Sequence, residues 1–177
     1  MAVLLTAALL AAFVAVVVSV VEPKVAHADS TVKSCTGRKI TLKTIEKTML
    51  VLHNRKRASR GLPRLCIRPA LEKAARAHSA DMIRRDYFSH NTEGRNEGPC
   101  ERIRRYGYHW RKCGENIAWG SGRYGSPNSR FQAWMNSPAH RANFLNRGFR
   151  EVGIGAARGT YKRYSNVTMW TVDFGDR

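Results

Sequence analysis

The chain has 177 residues, with 31 Lys and Arg against 13 Asp and Glu and a formal net charge of +18. Once an apolar leader is set aside, about 150 residues remain, enough for one domain with a real core and too few for two. Such a charge excess draws polyanions (anionic lipid head groups, acidic wall polymers, nucleic acid) in a salt-dependent way, and it equally describes a solvated basic face with no partner.

The leader is "MAVLLTAALLAAFVAVVVSVVEPKVAHADS", an unbroken small and apolar run to Val21 followed by "AHA" at 26 to 28. That pattern predicts a secretory signal over residues 1–28, cleaved after Ala28. No Lys or Arg precedes the run, and at about 20 residues it is long enough to serve instead as a membrane anchor. In either case the rest of the chain faces an extracytoplasmic space.

Four cysteines in an exported chain argue for two disulfides. Three pairings are open, of which Cys35 with Cys66 and Cys100 with Cys113 is the most local. No CxxC pair occurs, which speaks against structural zinc, so no cofactor is expected to be needed for folding. A bridge from Cys100 to Cys113 closes a short loop, worth about 3 kcal/mol by chain entropy, and fixes the segment that delivers Glu115.

Residues 29–41 are polar and without period and are expected to be a tether pinned by Cys35, ahead of a domain over 42–177. From Thr41 the pattern turns helical, with Leu42, Ile45, Met49 and Leu52 recurring at three and four until Gly61 and Pro63 end the run. A second helix follows Pro69, with Leu71, Ala74, Ala75, His78 and Met82 on one stripe and Arg68, Lys73, Arg76 and Arg84 toward the other side. The Asn- and Gly-rich stretch "YFSHNTEGRNEG" from Tyr87 to Gly98 reads as a structured loop, a frequent setting for function. "PCERIRRYG" predicts a short helix with Pro99 in its first turn, "ENIAWG" a short strand, and "SPNSRFQAWMN" a helix capped by Ser126 with Pro127 first. Two strands of period two close the chain: Val152, Ile154 and Ala156 share one face of the first, and Thr168, Trp170, Val172 and Phe174 one face of the second. Helices first and strands last imply an α+β layered domain with an antiparallel sheet.

Of six histidines, His27 belongs to the leader. His53 and His78 lie on helical stripes and are expected to be core histidines hydrogen-bonded inside the fold, while His109 sits among exposed basic residues. His90 follows Phe88 at the start of the Gly-rich loop. In "NSPAHR", Ser137 reads as N-cap, Pro138 as the first helical residue and His140 as the third, so the positive end of the helix dipole favours a neutral imidazole, able to act as ligand or base. The cap position turns the Ser137 hydroxyl toward backbone N–H groups, which argues against Ser137 as a nucleophile, and no G-x-S-x-G elbow is present. Glu115, flanked by Cys113, Gly114 and Trp119, is expected to be partly buried and then to need compensating cations or N–H donors. His90, Glu115 and His140 make no metal motif by spacing alone, and they act together only if the fold converges them.

The blocks "LHNRKRASRGLPRL", "AARAHSADM", "YFSHNTEG", "CGENIAWG", "WMNSPAHRANFL", "EVGIGAA" and "MWTVDFG", in this order from about Thr41 to Phe174, resemble a bacterial member of the CAP superfamily of cysteine-rich secretory proteins, antigen 5 and pathogenesis-related proteins. The resemblance implies an α-β-α sandwich with a central antiparallel sheet and a cleft that gathers two histidines and two acidic residues. By position these are His90, His140 and Glu115. The second acidic slot, three residues after Trp134, holds Ser137, which weakens a carboxylate-rich metal site and leaves the two imidazoles as the main ligands. Glu93, Glu97 and Glu101 are the candidate substitutes. Relatives are associated with lipid or sterol binding, divalent metal and disputed protease activity.

The resulting expectation is a secreted, monomeric binding module for a lipid-like or cell-envelope ligand, with His90, Glu115, His140 and Ser137 at the cleft and Zn²⁺ on His90 and His140. Its basic surface is expected to associate with acidic envelope polymers or an anionic lipid surface. The alternative is a metal-assisted hydrolase with Glu115 as general base. A third reading rests on "RIRRYGYHWRK", arginines mixed with aromatics that suit a polyanion such as an acidic polysaccharide, with nucleic acid disfavoured by export.

Overall fold

The computed structural model describes residues 29–177, so the expected signal segment, or anchor, over residues 1–28 lies outside the described residues. Two strands, β1 (Ser30–Lys33) and β2 (Lys39–Leu42), form an antiparallel hairpin. The stretch expected as a tether is therefore paired structure, and Leu42 belongs to a strand instead of the first helix. Helix α1 begins only at Thr44 and runs to Ala58. The short strand β3 (Cys66–Ile67), not anticipated because two residues carry no period, follows, and then α2 (Pro69–Arg84) and α3 (Pro99–Arg105). Strand β4 (Lys112–Ser121) is followed by α4 (Pro127–Asn136), α5 (Pro138–Leu145) and the long hairpin of β5 (Glu151–Tyr161) and β6 (Tyr164–Asp176).

The main sheet has the order β3-β5-β6-β4. Its three long strands are antiparallel as expected, while β3 joins β5 in parallel. One face packs on α1, α4 and α5 through Met49, Phe131, Trp134 and Phe144 against Val152, Ile154, Ala156, Trp170, Val172 and Phe174. These are the strand positions that the period-two alternation assigned to a shared face, and Thr168 lies in the same row of β6. The other face packs on α2, with Leu71 and Ala74 clustered with Ile103 of α3, and Met82 with Ile117, Val167 and Met169. Helices on both faces of one sheet make the α-β-α sandwich.

Two disulfides join Cys35 to Cys66 and Cys100 to Cys113. Arg57, wholly buried, ties the end of α1 to the chain after α5: its guanidinium donates to the carbonyls of Pro63, Phe144, Asn146 and Phe149. This packing accounts for a charged residue at zero exposure, because backbone acceptors take nearly all the donors of the fork.

The two core histidines differ. His78 meets the Ser89 carbonyl at 2.9 Å through Nε2. His53 does not follow the expectation of internal hydrogen bonding: neither ring nitrogen has a partner, and the ring lies 4.0 Å from that of Phe144. Burial lowers the pKa of both, that of His78 to about 4. A histidine whose folded pKa is depressed stabilises the fold fully above its unfolded value of 6.5, and that contribution is lost as pH falls toward the folded value. The loss for His78 is on the order of 3 kcal/mol. Thermal unfolding of His78→Gln is expected to show a flatter pH dependence between pH 6.5 and about 4 than the parent protein; an identical slope would exclude His78 as its source.

Candidate functional site

Strand β4 is an outer strand of the sheet, and its exposed edge is closed by side chains instead of by another strand. The carbonyls of Glu115, Ile117 and Trp119 accept from Asn143 Nδ2 at 3.1 Å, Trp134 Nε1 at 3.1 Å and Arg130 Nη1 at 2.9 Å. Helices α4 and α5 thus satisfy alternate backbone acceptors, which blunts the edge against pairing with other chains. They also lock β4 in register with α5, since Asn116 Nδ2 donates to the His140 carbonyl at 3.0 Å and Asn143 Nδ2 to Asn116 Oδ1 at 2.8 Å.

Alternation along β4 turns Glu115 and Ile117 toward the α2 side of the sheet. The Glu115 side chain is 1% exposed. Its Oε1 accepts from His90 Nδ1 at 2.6 Å, and its Oε2 accepts from Nη2 of Arg102, itself buried in α3. Arg102 also donates through Nη1 to the His90 carbonyl at 3.0 Å and to Thr92 Oγ1 at 3.2 Å. The compensating cation that a buried Glu115 requires is therefore Arg102. The disulfide between Cys100 and Cys113 clamps α3 to β4 two residues before each member of this pair.

A carboxylate only accepts, so His90 Nδ1 carries the proton and Nε2 of a neutral ring keeps its lone pair. His140 Nδ1 lies 2.8 Å from Ser137 Oγ. Ser137 does sit at the start of α5, yet its side chain makes no capping bond and turns to the imidazole instead. The pKa of His140 is lowered, first by burial and then by the charge of His90. The ring is therefore neutral near pH 7, as its place in the first helical turn suggested.

His90 and His140 meet in one open cleft of about 450 Å³, lined also by Phe88, Ser89, Asn91 and Ile117. The fold brings together the two imidazoles that the sequence separates by fifty positions. Glu115 is not among the lining residues; it stands behind His90 with both oxygens engaged, so the expected general base is occupied. None of Glu93, Glu97 and Glu101 lines the cleft, and Glu97 is taken by Arg105 and Thr92. Among the described residues no group of three His, Cys, Asp or Glu side chains is placed to hold a metal ion. The two imidazoles therefore fit a metal only as a two-ligand site completed by solvent or ligand atoms.

Arg102 and Asp173 belong to the site and were not singled out from the sequence. Asp173 is wholly buried and opposes Glu115 across the β4–β6 ladder, and among the described residues no N–H or O–H group donates to either of its oxygens. Burial, and next the Glu115 charge, raise its pKa well above the usual carboxylate range, so it is held as the neutral acid. The signal available in "MWTVDFG" was one charged residue inside a strand whose neighbours are all apolar or Thr and Gly.

A family model described as the cysteine-rich secretory protein family, CAP, matches residues 50–174. The chain belongs to that family. It is 35% identical over 129 residues to protein YkwD of Bacillus subtilis (strain 168), itself uncharacterized, covering 73% of this chain and 46% of that protein, so it spans about half the length of that relative. An outer surface protein from Borrelia burgdorferi has a similar structure, with a TM-score of 0.67 at 26% identity over 79% of this chain and 98% of that one. An extracellular protein containing an SCP domain from Bacillus anthracis str. Ames shares the fold, with a TM-score of 0.63 at 24% identity over 80% and 47% of the two chains. Among the described residues no helix is long and apolar enough to cross a membrane.

Proposed function

We propose that this chain is an exported CAP domain acting as a binding module of the cell envelope. Phe88 and Ile117 give the cleft apolar contact for a lipid-like or envelope-derived ligand, and the imidazoles of His90 and His140 hold its polar end, directly or through a divalent metal such as Zn²⁺. The observation that carries this reading is the His90–Glu115–Arg102 chain, which sets the tautomer of His90 so that Nε2 is the free ligand nitrogen. A carboxylate behind a histidine is the arrangement that orients metal-binding imidazoles and raises their basicity. When bound, a metal would supply a Lewis-acidic anchor. His140 joins with its Nε2 lone pair when Nδ1 donates to Ser137 Oγ.

Hydrolysis is the less supported alternative. Glu115 has no free oxygen with which to activate water, and Ser137 does not line the cleft. The test is calorimetric titration of the purified protein with Zn²⁺. A saturable signal is expected, lost in the His90→Ala/His140→Ala double variant and weakened about 10- to 100-fold in Glu115→Gln. A heat signal that survives unchanged in the double variant removes the metal role, and Zn²⁺-dependent turnover of lipid, peptide or wall substrates that the double variant loses would favour the hydrolase.

A further inference from the structure

Positive charge gathers at one concave place away from the cleft. Between α2, α3 and the loop that joins them lies a pocket of about 380 Å³. Arg84 and Arg85 reach it from the end of α2, Arg95 from the loop and Arg105 from the end of α3, with buried Arg102 behind them. Two of the five come from the "RIRRYG" run, which the cleft otherwise leaves unused apart from Arg102. The pocket shares no lining residue with the cleft of His90 and His140.

Its walls carry one carboxylate, Asp81, which accepts from Arg84 and from Tyr87 Oη at 2.8 Å. Three more carboxylates stand outside the walls: Glu93 near Arg85, Glu97 on Arg105 and Glu115 on Arg102. Even with these counted, one cation is in excess. Arg95 is exposed, and its side chain has no hydrogen-bond or ionic partner among the described residues. Arg84 is 69% exposed and Arg85 38% exposed in their pairs with Asp81 and Glu93, and ion pairs whose cation is open to water contribute little, so these guanidinium groups turn to an entering anion at small cost.

We propose that this pocket binds a phosphate group, either as the free oxyanion or as the headgroup of an anionic lipid. A terminal phosphate presents three oxygens in a tetrahedral array and accepts bidentate bonds from guanidinium forks that approach in different planes; a carboxylate offers two oxygens in one plane. Arginines arriving from α2, from the loop and from α3 approach from different elements, which suits the first geometry. The field of the whole chain concentrates such anions near the pocket. The proposal is independent of the cleft and its metal.

The test is calorimetric titration with inorganic phosphate at about 0.15 M ionic strength, where long-range attraction is screened. A saturable single-site signal is expected for the parent protein. Arg84→Gln/Arg95→Gln is expected to bind about tenfold or more weakly, the effect of losing charge-assisted hydrogen bonds, with an unchanged unfolding midpoint because both residues are exposed. A charge-matched control, Arg60→Gln/Arg64→Gln, removes two exposed arginines near the end of α1 and is expected to bind as the parent does. Vesicles containing phosphatidic acid, competed by inorganic phosphate, identify a lipid headgroup as the source; phosphate binding without vesicle competition identifies a soluble phosphate. Absence of saturable phosphate binding, or equal weakening in both double variants, overturns the proposal. Neither result alters the zinc experiment with the two histidines.

Discussion

Gly153→Ala is expected to destabilise the protein by about 3 kcal/mol or more, a loss at the upper end for overpacked cores because backbone, not side chain, must give way. A Cβ at Gly153 would stand 2.1 Å from the Leu71 carbonyl carbon, and one at Gly155 would stand 2.3 Å from that of Ala75. Both glycines lie on the β5 face that α2 covers, while Val152, Ile154 and Ala156 between and beside them fill the opposite core. The motif "EVGIGAA" thus encodes two surfaces at once: apolar side chains for α1, α4 and α5, and a flat backbone on which α2 lies in contact. Thermal unfolding measures the effect. A midpoint within a degree or two of the parent would mean that α2 can lift from the sheet at little cost, contrary to this packing. Because His78 of α2 holds the Ser89 carbonyl beside His90, a lifted helix is also expected to displace His90 in the cleft, and with it the proposed Zn²⁺ site.

Arg102→Met is expected to cost about 3–5 kcal/mol, the penalty for stranding one member of a buried ion pair. The methionine approximates the apolar stem, so the loss is of charge and hydrogen bonds more than of volume. What remains is the Glu115 carboxylate at 1% exposure beside the buried Asp173, with the guanidinium gone and only the His90 imidazole still donating to it. Adding Glu115→Gln removes the stranded charge, so the double variant is expected to be more stable than Arg102→Met alone, a coupling that a double-mutant cycle reads directly. Additive losses would show that Arg102 acts by packing and not as the counter-ion of Glu115. Arg102 also holds the backbone of His90 and the Thr92 hydroxyl, so the single variant is further expected to loosen the first stretch of the cleft loop.

The fit between sequence reading and structure follows the reach of each signal. Helices α2 and α4 were legible because a stripe of period near 3.6 and a Pro in the first turn are local, and Ser126 caps α4 by accepting from the Ser129 N–H at 3.3 Å. The β5–β6 faces were legible because alternation is local too. The hairpin of β1 and β2 was not: a four-residue polar strand exists only through its partner, and nothing inside residues 29–41 distinguishes it from a tether. The same holds for β3, which is a strand because Cys66 and Ile67 lie beside Glu151 and Val152. His53 was expected to be hydrogen-bonded because buried polar groups usually are, and the fold instead places its ring among phenylalanines.

The layering of helices on a sheet, the formation of two disulfides and the identity of the two cleft histidines were determined by the sequence, because each rests on composition, period or an ordered set of motifs. Tertiary structure alone decided what the acidic residues do. It set Glu115 behind His90 instead of beside it, gave it Arg102 as counter-ion, sealed Asp173 against it as a neutral acid, and turned the Ser137 hydroxyl from the helix end to His140. Those assignments depend on desolvation and on partners tens of residues away, and both quantities come into being only when the layers close.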